Sequence, residues 1–397
     1  MEALYIFFAG FLQQVFYFVR DIWFIWLPAS LFFIFWEFWM LYVNLHYVSH
    51  IPWMLLEVKI PRNILKSPRA MELVFNTLHN SHEGSFIDKH WKGFVRGVFS
   101  FEVASVGGSL RFFVRTPKAM RNLVEAQIYA QYPEVEIVEA DDYTKSVPEN
   151  APNADWNLWG VEFCQTKEDA FPIKTYVDFK LEDVKEEMEK IDPMSSMMEF
   201  MGSVRAGENV WFQLLIRGSG DRWIKEGVKL KEEILAKRKG KPGESSQPLS
   251  PGDTEVLKSL ERNMTKLGFD VGIRVMYLAR RDVFNPVNIA SIMGVMKQYN
   301  TQNLNGFKSQ ASTSGGFWFK SSREYRKQRM MFNAYRARGY FYPPFSRGLL
   351  FSRGEQAGVL TSEELATIYH YPGMVVSAPT FERVERKKGM PPSNLPV

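Results

Sequence analysis

The sequence predicts an α+β protein: an N-terminal transmembrane helix or helical hairpin, then a ferredoxin-like βαββαβ domain, then a second α/β sandwich-type unit. Three observations predict it. Residues 1–50 hold 18 of the 59 Phe, Trp and Tyr residues and only four formal charges, Glu2, Arg20, Asp21 and Glu37. Beyond residue 50 the apolar spacing alternates between the two-residue period of strands and the period of helices. A junction also repeats, Lys66-Ser67-Pro68-Arg69 and Arg115-Thr116-Pro117-Lys118, each placing proline at the first helical position. The soluble-looking mean hydropathy of -0.22 averages over this split. The chain carries +5 overall, and the first fifty residues carry one basic and three acidic groups, so the body carries +7.

Residues 22–44 form the clearest segment. They contain one charge, Glu37, and at ~1.5 Å per residue they span a ~30 Å hydrocarbon core. Trp23, Trp26, Trp36 and Trp39 suit the interfacial belts, and Pro28 lies in the first two turns, where a helix tolerates it best. Glu37 reads either as a functional intramembrane carboxylate or as a packing contact near the interface. Residues 4–19 are apolar but short, and read as a thin second span or an in-plane helix. With no basic leader and no small-residue cleavage site, a signal peptide is not expected. Lys59, Arg62, Lys66 and Arg69 follow the span, so the positive-inside rule places the body in the cytoplasm, at the inner membrane of a bacterium. The single cysteine, Cys164, agrees with a reducing compartment and excludes a disulfide framework.

The body divides into residues 51–142, residues 143–360 and a tail, 361–397. In the first part, residues 53–60 read as a strand, 68–78 as a helix, 79–90 as a polar loop, and 94–104 and 110–115 as strands around the turn Val106-Gly107-Gly108-Ser109. A helix over 118–131 and a strand over 135–138 complete the βαββαβ order. In the second part, 156–164 and 172–179 read as a strand pair, 182–190 as a charged turn or short helix, and 193–201 as a helix. Residues 209–217 read as a buried strand, 221–239 as an amphipathic helix, 269–279 as a strand and 286–299 as a helix. Residues 237–252, KRKGKPGESSQPLSPG, read as a flexible insertion, 300–316 as a loop and 321–338 as a basic helix. The tail reads as a short helix followed by a Pro-rich linker. A sheet with helices on one face leaves its other face or its edges to neighbours.

Chemistry-bearing motifs are sparse. A P-loop needs lysine where Gly240-Lys241-Pro242-Gly243-Glu244-Ser245 has Glu244. No hydrolase, zinc-protease or kinase signature is present, so no catalytic residue and no cofactor are expected. His79, His82 and His90 lie near Glu83 and Asp88, a weak metal motif whose simpler reading is a solvated loop. Arg323, Arg326, Lys327, Arg329, Arg336 and Arg338, interleaved with Tyr325, Phe332, Tyr335, Tyr340, Phe341 and Tyr342, have three readings: a nucleic-acid contact, a contact to anionic lipid, or a solvated helix with one apolar face.

Three stretches carry a family likeness: LLEVKIPRNILKSPRAMELVFNTLH (residues 55–79), FFVRTPKAMRNLVEAQIYAQYPEVEI (112–137) and LTSEELATIYHYPG…PPSNLPV (360–397). In these the chain resembles the N-terminal, membrane-anchored region of type IV secretion and conjugation ATPases of the FtsK/HerA class, without the motor domain. The resemblance implies a membrane-anchored, non-catalytic assembly or coupling subunit. Its partners would be the lipid bilayer, a FtsK/HerA-type ATPase, other secretion-system subunits, further copies of itself and DNA. The alternative is a membrane-bound nucleic-acid-binding protein using residues 321–338.

Overall fold

The stretch WFIWLPASLFFIFWEFWMLYVNLHYVS has its one helix breaker, Pro28, in the second turn and folds as a single helix, α1 (Trp23–Ser49). Apolar residues project from it on all sides, and Val43 is its one buried residue. The computed structural model describes residues 13, 14, 17, 20–61, 66–179, 192–236, 250–314, 319–342 and 357–372. They form two compact units, residues 1–50 with 83–95, and residues 51–82 with 96–397. Most of the apolar segment expected over 4–19, the charged turn over 182–190, the insertion over 237–249 and the Pro-rich tail beyond 372 lie outside the described residues.

The second unit begins with β1 (Trp53–Lys59) and α2 (Arg69–Leu78). After residues 83–95, which hold the one-turn helix α3 (Phe86–His90) and belong to the first unit, come β2 (Phe99–Val106), β3 (Ser109–Pro117), α4 (Arg121–Gln131) and β4 (Glu136–Glu139). The strands pair antiparallel in the order β4-β1-β3-β2, the split-βαβ arrangement of a ferredoxin-like fold. Gly107 and Gly108 close the β2–β3 hairpin with φ of 58° and 89°, the left-handed pair that a two-residue type I′ turn requires.

The pattern then repeats. β5 (Trp156–Gln165), α5 (Ser195–Ser203), β6 (Glu208–Gly218), β7 (Gly268–Arg280), α8 (Val287–Met296) and β8 (Phe307–Ser312) give the order β6-β7-β5-β8. Read from the far edge, this is the same arrangement. A helical pair, α6 (Arg222–Ala236) and α7 (Pro251–Met264), replaces the tight hairpin turn. The second strands of the two repeats, β2 and β6, pair antiparallel from Phe99 opposite Ile216 to Val106 opposite Asn209. The two expected domains are therefore two halves of one sheet with pseudo-two-fold order.

Side chains alternate faces along every strand. Val210, Phe212, Leu214 and Ile216 of β6 join Phe269, Val271, Ile273 and Val275 of β7 in the main core under the crossover helices. The alternate residues, including Leu55, Phe113, Trp211 and Met276, form a second core with Met331, Phe332 and Tyr335 of α9 (Lys320–Ala337). The sheet face expected to be open is thus covered by α9. Gly160 and Gly272 make room for α9 and the residues after it: a Cβ on Gly272 would lie 2.6 Å from the Tyr340 ring, and one on Gly160 2.6 Å from the Met331 sulfur.

Three other expectations are corrected. Residues 172–175 are irregular and 176–179 a turn rather than a strand, because their backbone N–H groups are engaged elsewhere: Ile173 donates to Glu364 Oε1 at 2.9 Å and Tyr176 to Thr367 Oγ1 at 2.9 Å. The loop expected over 300–316 contains β8, which pairs with β5. The segment around residue 360 is core rather than tail: β9 (Val359–Thr361) pairs with β7, and α10 (Ser362–Ile368) is buried at every residue.

Candidate functional site

Two places carry the candidate residues. In the first unit, α1 is one helix long and apolar enough to cross a membrane, with mean hydropathy 1.6. Trp23 and Trp26 are exposed near its start, and Glu37 is exposed in its second half. Trp36 and Trp39 are half-buried because residues 83–95 pack on them. The Trp39 indole N–H donates to the His90 carbonyl at 2.8 Å, the Trp39 ring meets Trp91 edge-on at 5.5 Å, and the Trp36 ring lies 5.5 Å from His90. A capping box between Ser85 and Asp88 starts α3.

The three histidines are divided between the two units. His79 Nε2 lies 3.1 Å from the Gly268 carbonyl in the second unit, His82 is exposed there, and His90 Nδ1 lies 2.9 Å from the Phe86 carbonyl in the first. Among the described residues no group of three His, Cys, Asp or Glu is arranged to hold a metal.

The second place is the sheet face under α9. Four polar residues stand side by side across four strands: Glu102 opposite Gln213, Gln213 opposite Arg274, and Arg274 opposite Glu162. All four are buried. Arg274 Nε donates to Glu162 Oε1 at 2.6 Å and Nη1 to the Ala334 carbonyl at 3.2 Å, with Tyr340 stacked 5.0 Å from its guanidinium. Gln213 donates to Glu102 and to the Tyr335 carbonyl, at 3.1 and 3.2 Å.

Arg338 closes the row. Its Nε and Nη2 donate to the two Glu102 oxygens at 3.0 and 3.1 Å, and it also pairs with Asp142. Burial pushes the Glu102 carboxyl up, but Arg338, Ser100 and Tyr143 outweigh it and hold the carboxyl below its ordinary range. Burial, and then repulsion from Arg338, pull the Arg115 guanidinium down to about 10.

The six basic residues of the expected contact surface therefore differ in role. Arg338 is buried in ion pairs. Arg336 binds Glu149 Oε1 at 2.7 Å, Arg329 donates to the carbonyls of Glu149 and Ala151, and Lys327 donates to the Ser314 carbonyl at 2.9 Å. Arg323 and Arg326 are exposed, beside exposed Tyr325.

A further polar cluster was missed, because its members are far apart in sequence. Glu363 binds Arg262 at 3.0 Å and Lys266 at 3.5 Å, and Lys266 also binds Glu72 at 2.7 Å. Nearby, both ring nitrogens of His370 face acceptors, the Ala366 carbonyl at 2.8 Å and Asp192 Oδ1 at 3.1 Å. Burial raises the Glu364 carboxyl to about 7, against the N–H groups of Thr361 and Ile173. These groups lock α10 into the core. Their only visible signal in the sequence is the capping pattern Thr361-x-x-Glu364 ahead of an apolar run.

No curated protein matches the chain. Residues 45–379 match the family model described as Domain of unknown function (DUF8128); the match covers most of the chain, starts near the end of α1 and includes the whole doubled sheet, and the protein belongs to that family.

Proposed function

We propose that the protein is a membrane-anchored, non-catalytic assembly subunit of a type IV secretion- or conjugation-like machine, holding a partner ATPase of the FtsK/HerA class at the membrane. The observation that carries the anchor is α1, whose length and unburied apolar surface suit a bilayer. The basic residues after it, Lys59, Lys66 and Arg69 among them, favour a cytoplasmic body at the inner membrane. The secretion context rests on the family resemblance of residues 55–79, 112–137 and 360–397.

A holding role suits a body whose charged clusters are paired within the fold and whose sheet is covered on both faces. Among the described residues, such a body leaves the sheet edges β4 and β8 for subunits, including further copies of itself. Affinity capture from detergent-solubilised membranes of the native host tests this reading. A FtsK/HerA-class ATPase is expected in the eluate, and a protein that stays in the soluble fraction or elutes without any such ATPase overturns it. The nucleic-acid reading ranks second, since Arg329, Arg336 and Arg338 are engaged within the body and Arg323 and Arg326 are left to contact a phosphate backbone.

A further inference from the structure

Residues 83–95 follow α1 closely. The rings of Tyr47 and Phe94 are 5.8 Å apart. Gly93, at φ 68°, lies so close to α1 that a Cβ would fall 2.1 Å from the Val43 carbonyl oxygen. Trp39 binds the His90 carbonyl, and Trp36 stands against the His90 ring. Between Gly93, which lies against Val43, and His90, whose carbonyl binds Trp39, the segment therefore climbs α1 by about 6 Å at ~1.5 Å per residue, and the His90 ring reaches on to Trp36. The apolar part of α1, from Trp23 to Val43, is about 30 Å long and fills the hydrocarbon core. Its boundary then falls near Val43, and Trp39 and Trp36 lie roughly 6 and 10 Å inside it. That is the depth at which amphipathic segments rest, roughly 5–10 Å into the headgroup and acyl boundary.

The segment is built for that depth. Phe86, Ile87 and Trp91 are exposed at 66%, 58% and 59%. Several of its backbone donors are satisfied internally: Lys89 N–H by the Ser85 carbonyl at 3.0 Å, Trp91 N–H by Ile87 at 3.0 Å, Phe94 N–H by Asp88 at 2.8 Å and Asp88 N–H by Ser85 Oγ at 3.2 Å. Unpaired backbone groups are what hydrocarbon excludes. Its charges are paired as well, Lys92 with Asp88 at 2.8 Å and Lys89 with Glu83.

We propose that residues 83–95 are a second membrane contact, a wedge that sets Phe86, Ile87 and Trp91 into the interfacial layer beside the C-terminal end of α1. The proposal rests on the reading of α1 as the anchor and adds a site to it. Spin labels test it in the full chain, in a Cys164→Ser background, reconstituted into vesicles of phosphatidylethanolamine and phosphatidylglycerol. Ile87→Cys and Trp91→Cys probe the wedge, Phe33→Cys probes α1, and Ser81→Cys is the aqueous reference. Labels at 87, 91 and 33 are expected to collide with dissolved oxygen, and the label at 81 with a water-soluble nickel chelate. The oxygen-to-nickel ratio is expected to be several-fold higher at 87 and 91 than at 81. Nickel access at 87 and 91 with oxygen access at 33 overturns the wedge and leaves the anchor standing. Nickel access at 33 overturns both. Shielding of 87 and 91 from both reagents means that a protein surface covers them, and overturns the wedge.

Discussion

Arg338 follows α9 in the left-handed conformation, φ 51°, which a non-glycine residue rarely adopts. Two carboxylates hold it there. Arg338→Met leaves Glu102 buried without its counter-charge and is expected to destabilise the full-length protein by about 3–5 kcal/mol in a denaturant titration. Glu102→Gln combined with Arg338→Met is expected to be milder, because no charge is then stranded. In the sequence Arg338 counted as one of six surface cations, since helical spacing says nothing of a carboxylate 236 residues away. Glu364 gives a second test. Its carboxyl titrates near 7 in the fold, against an ordinary 4.5. The native state therefore binds more protons than the unfolded state between those values, and stability falls as pH rises through them. The loss is on the order of 3 kcal/mol at most. Glu364→Gln is expected to melt higher than the parent at pH 8 and close to it at pH 4, and parallel slopes for the two proteins across that range would count against the assignment.

At the scale of elements, α9 has two ends with different duties. Its later turns, from Met331 to Tyr335, are core, while its first turns hold the exposed Arg323, Tyr325 and Arg326. Arg323→Glu with Arg326→Glu is expected to change stability by less than ~0.5 kcal/mol. If the parent binds DNA in a salt-dependent way and this double variant does not, the nucleic-acid reading displaces the assembly reading. Gly272→Val sets a side chain against the Tyr340 ring and is expected to cost about 1–3 kcal/mol by overpacking, read as a lowered midpoint. Most elements were legible from periodicity, within a few residues at their ends. The misread ones had tertiary causes. Residues 172–179 look strand-like but bond to side chains of α10, and β8, FKSQAS, is an edge strand too polar to signal itself.

At the scale of the molecule, the ferredoxin-like order was legible because strand and helix periods alternate in the right sequence. The seam was not, since nothing in the pattern of β2 or β6 says that these two edges choose each other. Nor was the position of residues 359–371, whose helix is short and rich in Glu and Thr. β9 extends β7 of the second repeat, while Tyr369 packs edge-on against Phe101, and Tyr371 against Phe112 and Tyr132 of the first. A chain stopped after residue 356 is expected to lose more than the roughly 5–15 kcal/mol that such a fold has in total. The measurement is resistance to limited proteolysis, and a truncated chain as resistant as the parent would remove these residues from the core.

That last bridge sets an order of events during synthesis. Chains emerge N-terminus first, at about 5–20 residues per second. α1 is therefore made before the body and can reach the bilayer first, whereas the piece that joins both repeats is made more than 300 residues later. Until it arrives, Phe101, Phe112 and Tyr132 lack Tyr369 and Tyr371, which pack on them in the finished fold. The aromatic bridge between the two repeats is thus the last part of the described fold to be made, well after β2 and β6 are available to pair.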